Sequence, residues 1–124
     1  MPLAEQLWTY RCTVERVIDG DTSDVYVDAG FRNYRSERLR LLGVNTPELR
    51  SRDPEDRVRA QAAKAFVEQW LQEHREHGPA EWPFVIRTQK SDAFGRFLCH
   101  LECAEGHELN QTLLDTGHAT VFED

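Results

Sequence analysis

The sequence predicts a single α+β domain, mainly β, in which five short strands close into a barrel, with one long helix after the third strand and a short helix near the C-terminus. Three observations carry that prediction. The 124 residues give room for one hydrophobic core and no second one. Several short stretches alternate apolar and polar residues with the period of a half-buried strand. A single long stretch switches to the period of a helix, between boundaries marked by proline.

Residues 8–18 can send Tyr10, Cys12 and Val14 to one face and Arg11, Thr13 and Glu15 to the other. Asp19-Gly20-Asp21-Thr22 reads as a turn in which Gly20 allows a positive φ, and a second strand around 24–28 completes a hairpin. Residues 29–36 read as an elongated connection. A third strand is expected over 38–44, with Leu39 and Leu41 on one face, until Asn45-Thr46-Pro47 stops it. The long helix is expected over 57–77, where Val58, Ala62, Phe66 and Trp70 form an i, i+4 stripe with Ala63, Val67 and Leu71 beside it. Asp53-Pro54-Glu55-Asp56 supplies its cap, its first-turn proline and acids at the positive dipole end, and Gly78-Pro79 terminates it. Strands over 84–88 and 97–102, then a helix over 109–115 closed by Gly117, complete the domain over 1–124. A five-stranded barrel with these helices is OB-like, an architecture that often binds nucleic acid or sugars.

Fifteen Lys and Arg against 22 Asp and Glu give a formal net charge of −7, beside a hydrophobic fraction of 40%. The apolar content excludes a disordered polyelectrolyte, and the acidic balance excludes a tight binder of extended polyanions. The charge is uneven, because residues 32–64 hold nine basic and five acidic side chains. No stretch approaches the ~18 apolar residues of a membrane span. The N-terminus lacks the basic and apolar pattern of a signal peptide, and Cys12, Cys99 and Cys103 fit free thiols in a reducing compartment. The expected location is the cytoplasm.

Asp19 and Asp21 stand two apart in a tight turn and can aim both carboxylates into one space, the oxygen-rich surrounding that hard cations take. The same four residues also make an ordinary turn. Arg40, the natural fork for a phosphate, precedes Asn45, Thr46 and Glu48, whose arrangement Pro47 restrains. Arg96 follows Ser91-Asp92-Ala93-Phe94-Gly95 at the start of a strand, where Gly95 permits a turn.

Taken in order, Asp19-Gly20-Asp21-Thr22, Arg40-Leu41-Leu42-Gly43-Val44-Asn45-Thr46-Pro47-Glu48, Asp92-Ala93-Phe94-Gly95-Arg96, Leu109-Asn110 and Gly117-His118-Ala119 resemble the signature of the staphylococcal nuclease, or thermonuclease-like, family. The resemblance runs from about Tyr10 to Phe122. It implies an OB-fold barrel and a Ca2+-dependent nuclease that hydrolyses phosphodiester bonds of DNA or RNA, in single-stranded or flexible form. By the resemblance, Asp21 and Asn45 match direct metal ligands, Thr46 matches a ligand through its backbone carbonyl, and Asp19 matches a nearby acid outside the direct ligands. Glu48 matches the general base, and Arg40 and Arg96 match the pair that holds the phosphate. The family's best-known members carry aspartate where this chain has Asn45, so one negative charge is missing and weaker Ca2+ binding or an altered metal preference is expected. The alternative is a nucleic-acid-binding OB module with reduced or lost catalysis. A structural adaptor is a third reading, which gives no reason for Glu48, Arg40 and Arg96 to converge.

Cys99, His100, Cys103 and His107 contain no Cys-x-x-Cys pair and read as buried thiols and surface imidazoles rather than a zinc site. His74 and His77 are expected to complement the negative end of the long helix. Trp70 is expected in the core, Trp82 either there or stacking a base, and either Trp8, Trp70 and Trp82 together or a partner chain is expected to help close the barrel.

Overall fold

The alternation expected at the N-terminus produces β1 (Thr9–Asp19), which is followed by β2 (Thr22–Asp28) and β3 (Tyr34–Leu41) in an antiparallel meander. The computed structural model describes residues 2–89 and 96–122. A two-residue strand β4 (Val44–Asn45) leads to helix α1 (Pro54–Arg75), then β5 (Phe84–Gln89), β6 (Phe97–Cys103), helix α2 (Leu109–Asp115) and β7 (Thr120–Val121). The barrel closes in the order β1, β2, β3, β6, β5, with β3 and β6 parallel and the other pairs antiparallel. β4 and β7 form a separate two-stranded ribbon. The five-stranded barrel with two helices is the OB-like α+β fold that the pattern predicts.

Cys12 and Val14 point into the barrel as expected, but the next buried residue is Val17 rather than Arg16. Register shifts between Val14 and Arg16, and between Val17 and Asp19, explain the change of parity. Each extra residue bends β1, which lets one strand serve two partners, β2 and β5.

The expected long connection over 29–36 is instead a tight turn. Asn33 N donates to the Gly30 carbonyl at 2.8 Å and Ala29 N to the Asn33 carbonyl at 2.8 Å, so β3 begins at Tyr34. Phe31 and Arg32 occupy its centre at φ 55° and 59°. The expected third strand over 38–44 also breaks at Gly43, φ 80°, and Val44 and Asn45 pair with Val121 and Thr120 instead.

Helix α1 starts where its cap predicts, with the Asp53 carboxylate accepting from Glu55 N at 3.0 Å and Pro54 in the first turn. Its buried face is Ala60, Ala63, Val67, Trp70 and Leu71, so the expected Trp70, Ala63, Val67 and Leu71 are covered and Phe66 is half-buried, while Val58 and Ala62 at the start of the stripe are exposed. Trp70 packs 6.2 Å from the Phe84 ring and 4.1 Å from His74, whose Nδ1 lies 2.8 Å from the Trp70 carbonyl. His74 stands in the last turn of the helix, as expected. Arg75 reaches from the last turn to the Val14 carbonyl at 3.1 Å and fastens the helix to the bulged part of β1. α2 ends with His118 N on the Leu113 carbonyl at 3.0 Å and Gly117 N on the Leu114 carbonyl at 3.2 Å, with Gly117 at φ 77°. Of the three tryptophans, Trp70 is buried, Trp82 is half-buried on the outside of the sheet, and Trp8 is exposed, so Trp8 does not close the core.

Candidate active site

The end of the barrel where β1 turns into β2 is the most polar part of the buried interior. Gly20 does not take the positive φ expected of it. It is a place of close approach: a Cβ there would lie 2.9 Å from the Ala63 Cβ of α1 and 2.9 Å from Thr46 Cγ2. The missing side chain brings the β1–β2 turn, the segment after β4 and the long helix against one another.

Asp21, buried in that turn, accepts from Thr46 N at 3.1 Å through one carboxylate oxygen and from the Thr22 hydroxyl at 3.0 Å through the other. Its backbone carbonyl accepts from Leu41 N at 2.8 Å, and Thr22 lies opposite Arg40 in the β2–β3 register. Arg40 is therefore delivered to the same place, buried, with an Nη 4.0 Å from the Asp21 carboxylate and donating to the Val44 carbonyl at 3.1 Å. The Phe122 ring lies 4.6 Å from its guanidinium. Phe122 is held there because its own N donates to the Gly43 carbonyl at 2.9 Å, directly beyond the β4–β7 pairing.

Asp19, half-buried, has its carboxyl pushed above the ordinary value of 3.8. Burial is the largest cause, the negative charges of Asp21 and Glu48 follow, and Lys64 and Arg50 oppose it. Three acids thus share one neighbourhood, with Glu48 exposed on the loop towards α1. Asn45 is exposed on β4, and its carbonyl accepts from the Thr120 hydroxyl at 3.4 Å. Arg96, half-buried, immediately precedes β6 and stands two residues before Leu98, the partner of Arg40 in the parallel pairing. The turn expected over Asp92-Ala93-Phe94-Gly95 lies outside the described residues.

The structure therefore brings Asp19, Asp21, Arg40 and Thr46 together, with Glu48 close by, and puts Asn45 and Arg96 on the elements that border them. Phe122, Lys64 and Arg50 were not singled out from the sequence. The aromatic ring next to the C-terminal Gly117 segment was the available signal for Phe122, but only the β4–β7 ribbon brings it to Arg40.

Among the described residues no group of three or more His, Cys, Asp and Glu is arranged to hold a metal ion, so Cys99, His100, Cys103 and His107 form no such group. Cys99 and Cys103 are core residues, and His100 Nδ1 faces Glu108 at 3.4 Å. A cation at the β1–β2 turn would need the Asn45 amide and the Thr46 carbonyl as well as Asp21. That all-oxygen donor set suits a hard divalent ion. Thr46 Oγ1, beside it, is buried with no hydrogen-bond partner among the described residues, a polar atom there that the described protein groups leave unsatisfied.

Residues 38–124 match the family described as staphylococcal nuclease homologue. The chain is also similar to an uncharacterized protein, MJ1439, of Methanocaldococcus jannaschii, with 28% identity over 128 residues that take in 91% of this chain and 59% of that protein. It spans less than two thirds of that relative's length.

Proposed function

Because this chain belongs to the staphylococcal nuclease homologue family, whose domains are generally nucleases or nucleic-acid binders, we propose that it is a Ca2+-dependent phosphodiesterase acting on single-stranded or flexible DNA or RNA. The observation that carries the reading is the buried Asp21 carboxylate, held by Thr46 N at 3.1 Å with the Arg40 guanidinium 4.0 Å away. A carboxylate and an arginine buried side by side at the surface end of a barrel suit a cation and a phosphate.

Asp21, Asn45 and the Thr46 carbonyl would hold the cation, with Asp19 beside them. When bound, the cation polarises a phosphate oxygen and makes a water more acidic. Glu48, exposed and close enough to Asp19 to raise its proton affinity, takes the proton from the attacking water. Arg40 is restrained in advance by the Val44 carbonyl and the Phe122 ring, so little reorganisation is needed for it to neutralise charge on a phosphate oxygen. Arg96 supplies the second guanidinium. Loss of one such donor typically costs ~10²–10³ in rate. The three buried free thiols support a reducing compartment such as the cytoplasm as the place of work.

The test is incubation with single-stranded DNA and with RNA, in Ca2+ and in chelator, of wild type, Glu48→Ala and Arg96→Ala. Cleavage that needs the cation and both side chains is expected. Intact substrate in every sample, with binding retained, would instead establish a binding module, the second reading, which the missing charge at Asn45 favours. In a Ca2+ titration, Asn45→Asp is expected to bind about an order of magnitude more tightly than wild type. Equal affinities would sink the charge argument.

A further inference from the structure

The turn between β2 and β3 is built against local preference. Two successive residues at positive φ are ordinarily Asn-Gly or Gly-Gly, because a side chain there meets its own backbone. This chain has Phe31 and Arg32, at φ 55° and 59°. Phe31 is fully exposed and packs on nothing, and Arg32 makes no ion pair or side-chain hydrogen bond among the described residues. The core gains nothing from either side chain, so the turn holds an aromatic ring and a guanidinium out into solvent at a cost in backbone strain.

A second aromatic feature adjoins it. Tyr26 and Tyr34, diagonal neighbours across β2 and β3, lie 6.0 Å apart on the outer face. Trp82, from the segment between α1 and β5, lies 5.8 Å from each and nearly parallel to both, at 14° and 9°. Both tyrosines are exposed. The period of two puts Tyr34, Ser36, Arg38 and Arg40 on one side of β3, so the cluster and the phosphate-binding arginine share a track. Six residue steps of strand separate Tyr34 from Arg40, about 20 Å. The outer face of the first three strands carries a small basic surplus in a chain of net charge −7: Arg11, Arg16, Arg32, Arg38 and Arg40 stand against Glu15, Asp21, Asp24 and Asp28, while Arg35 falls on the other side of β3 and pairs with Glu37. Arg38 is paired with Asp24 at 2.8 Å, Arg16 of β1 also acts on that aspartate, and Ser36 donates to Glu15 at 3.0 Å.

We propose that this outer face of β2 and β3 is a second contact for a single nucleic-acid strand, which runs from the phosphate at Arg40 to the aromatic tip. Bases stack on Phe31 and Tyr34, and Arg32 meets a phosphate. The proposal rests on the nuclease reading and names how its substrate is held away from the cleavage point. Its length fits the about 4–16 nucleotides that an OB fold covers, and aromatic faces accept any base.

The test is fluorescence anisotropy with labelled single-stranded DNA of about twelve and about three nucleotides, in chelator so that nothing is cut, for wild type, Phe31→Ala, Tyr34→Ala, Phe31→Trp and Phe31→Gly. Affinity for the long strand is expected to fall roughly fivefold or more in Phe31→Ala and Tyr34→Ala, to be kept in Phe31→Trp, and to be unaffected for the short strand. Phe31→Gly relieves the strained φ, so weak binding by a variant at least as heat-stable as wild type cannot be attributed to unfolding. Equal affinities across the series would overturn the track and leave the nuclease reading standing. Phe31-dependent binding to phosphatidylserine vesicles in place of DNA would overturn it in favour of a membrane contact. If wild type neither binds either strand nor cuts it in Ca2+, the nuclease reading itself fails and takes the proposal with it.

Discussion

Asp19 carries the clearest electrostatic conflict of any single residue at the candidate site. Its folded carboxyl holds the proton more tightly than the unfolded one, through burial and through Asp21 and Glu48. The consequence for stability has a definite sign: its contribution is most favourable below the ordinary value of 3.8 and is lost as pH rises through the raised folded value. Asp19→Asn is therefore expected to raise the urea midpoint of the metal-free protein near neutral pH and to leave it unchanged in acid below 3.8. Matching midpoints for variant and wild type at neutral pH would mean that solvent screens the three carboxylates from one another.

At the scale of elements, two small residues position the site. Gly20→Ala would set a Cβ 2.9 Å from both Ala63 and Thr46, atoms held by α1 and by the Asp21 hydrogen bond. A loss of about 1–3 kcal/mol is expected from a denaturant midpoint, with a fall in any nuclease activity, because Thr46 must move. Asn110, buried on α2, accepts from Leu101 N at 3.1 Å and donates to the carbonyls of Leu42 at 2.9 Å and Cys99 at 3.0 Å. It ties the short helix to β6 and to the turn before β4. Asn110→Ala takes the amide from Leu101 N and from the Leu42 carbonyl, while the Cys99 carbonyl keeps Leu42 N at 2.8 Å, and is expected to cost about 2–3 kcal/mol, read as a lower midpoint at unchanged denaturant slope. A loss below about half of that would show that water replaces the amide. Legibility in the sequence was uneven at this scale. The cap Asp53 and the terminator Gly117 announced their elements, since each acts through its own backbone neighbours. The Phe31-Arg32 turn was missed because neither residue favours it. On α1 the expected Ala63, Val67, Trp70 and Leu71 are buried, but Ala60 takes the place of Val58 and Ala62 in the first turns, because the barrel surface, not the helix, selects which side is covered.

For the whole molecule, the barrel interior governs the thiols. Burial pushes the Cys12 thiol up to about 12 and raises Cys99 as well, with the neighbouring Cys12 adding to the effect there. Unfolded thiols lose their protons near 9.0, so folding is fully supported below that pH and loses support as pH rises from 9.0 towards about 12. The expected outcome is a denaturant midpoint that falls above pH 9.0 more steeply in wild type than in a Cys12→Ala, Cys99→Ala variant. Thiol reagents should label the native protein slowly and all three cysteines quickly after unfolding, since all three are buried. Fast labelling of the native form would mean that the barrel opens locally.

The sequence alone determined the class of fold, the long capped helix and the ordered residues that resemble a nuclease, because alternation, capping and turn chemistry are properties of neighbours along a chain. Through that resemblance it pointed to Asp19, Asp21, Arg40, Asn45, Thr46, Glu48 and Arg96 as one candidate set. Only the tertiary structure decided how they meet. The β2–β3 register sets Thr22 opposite Arg40, a glycine without a side chain lets Thr46 reach Asp21, and the β4–β7 ribbon lays Phe122 against the arginine. Each of these is a contact between segments far apart in the chain, and no local preference of either partner specifies it.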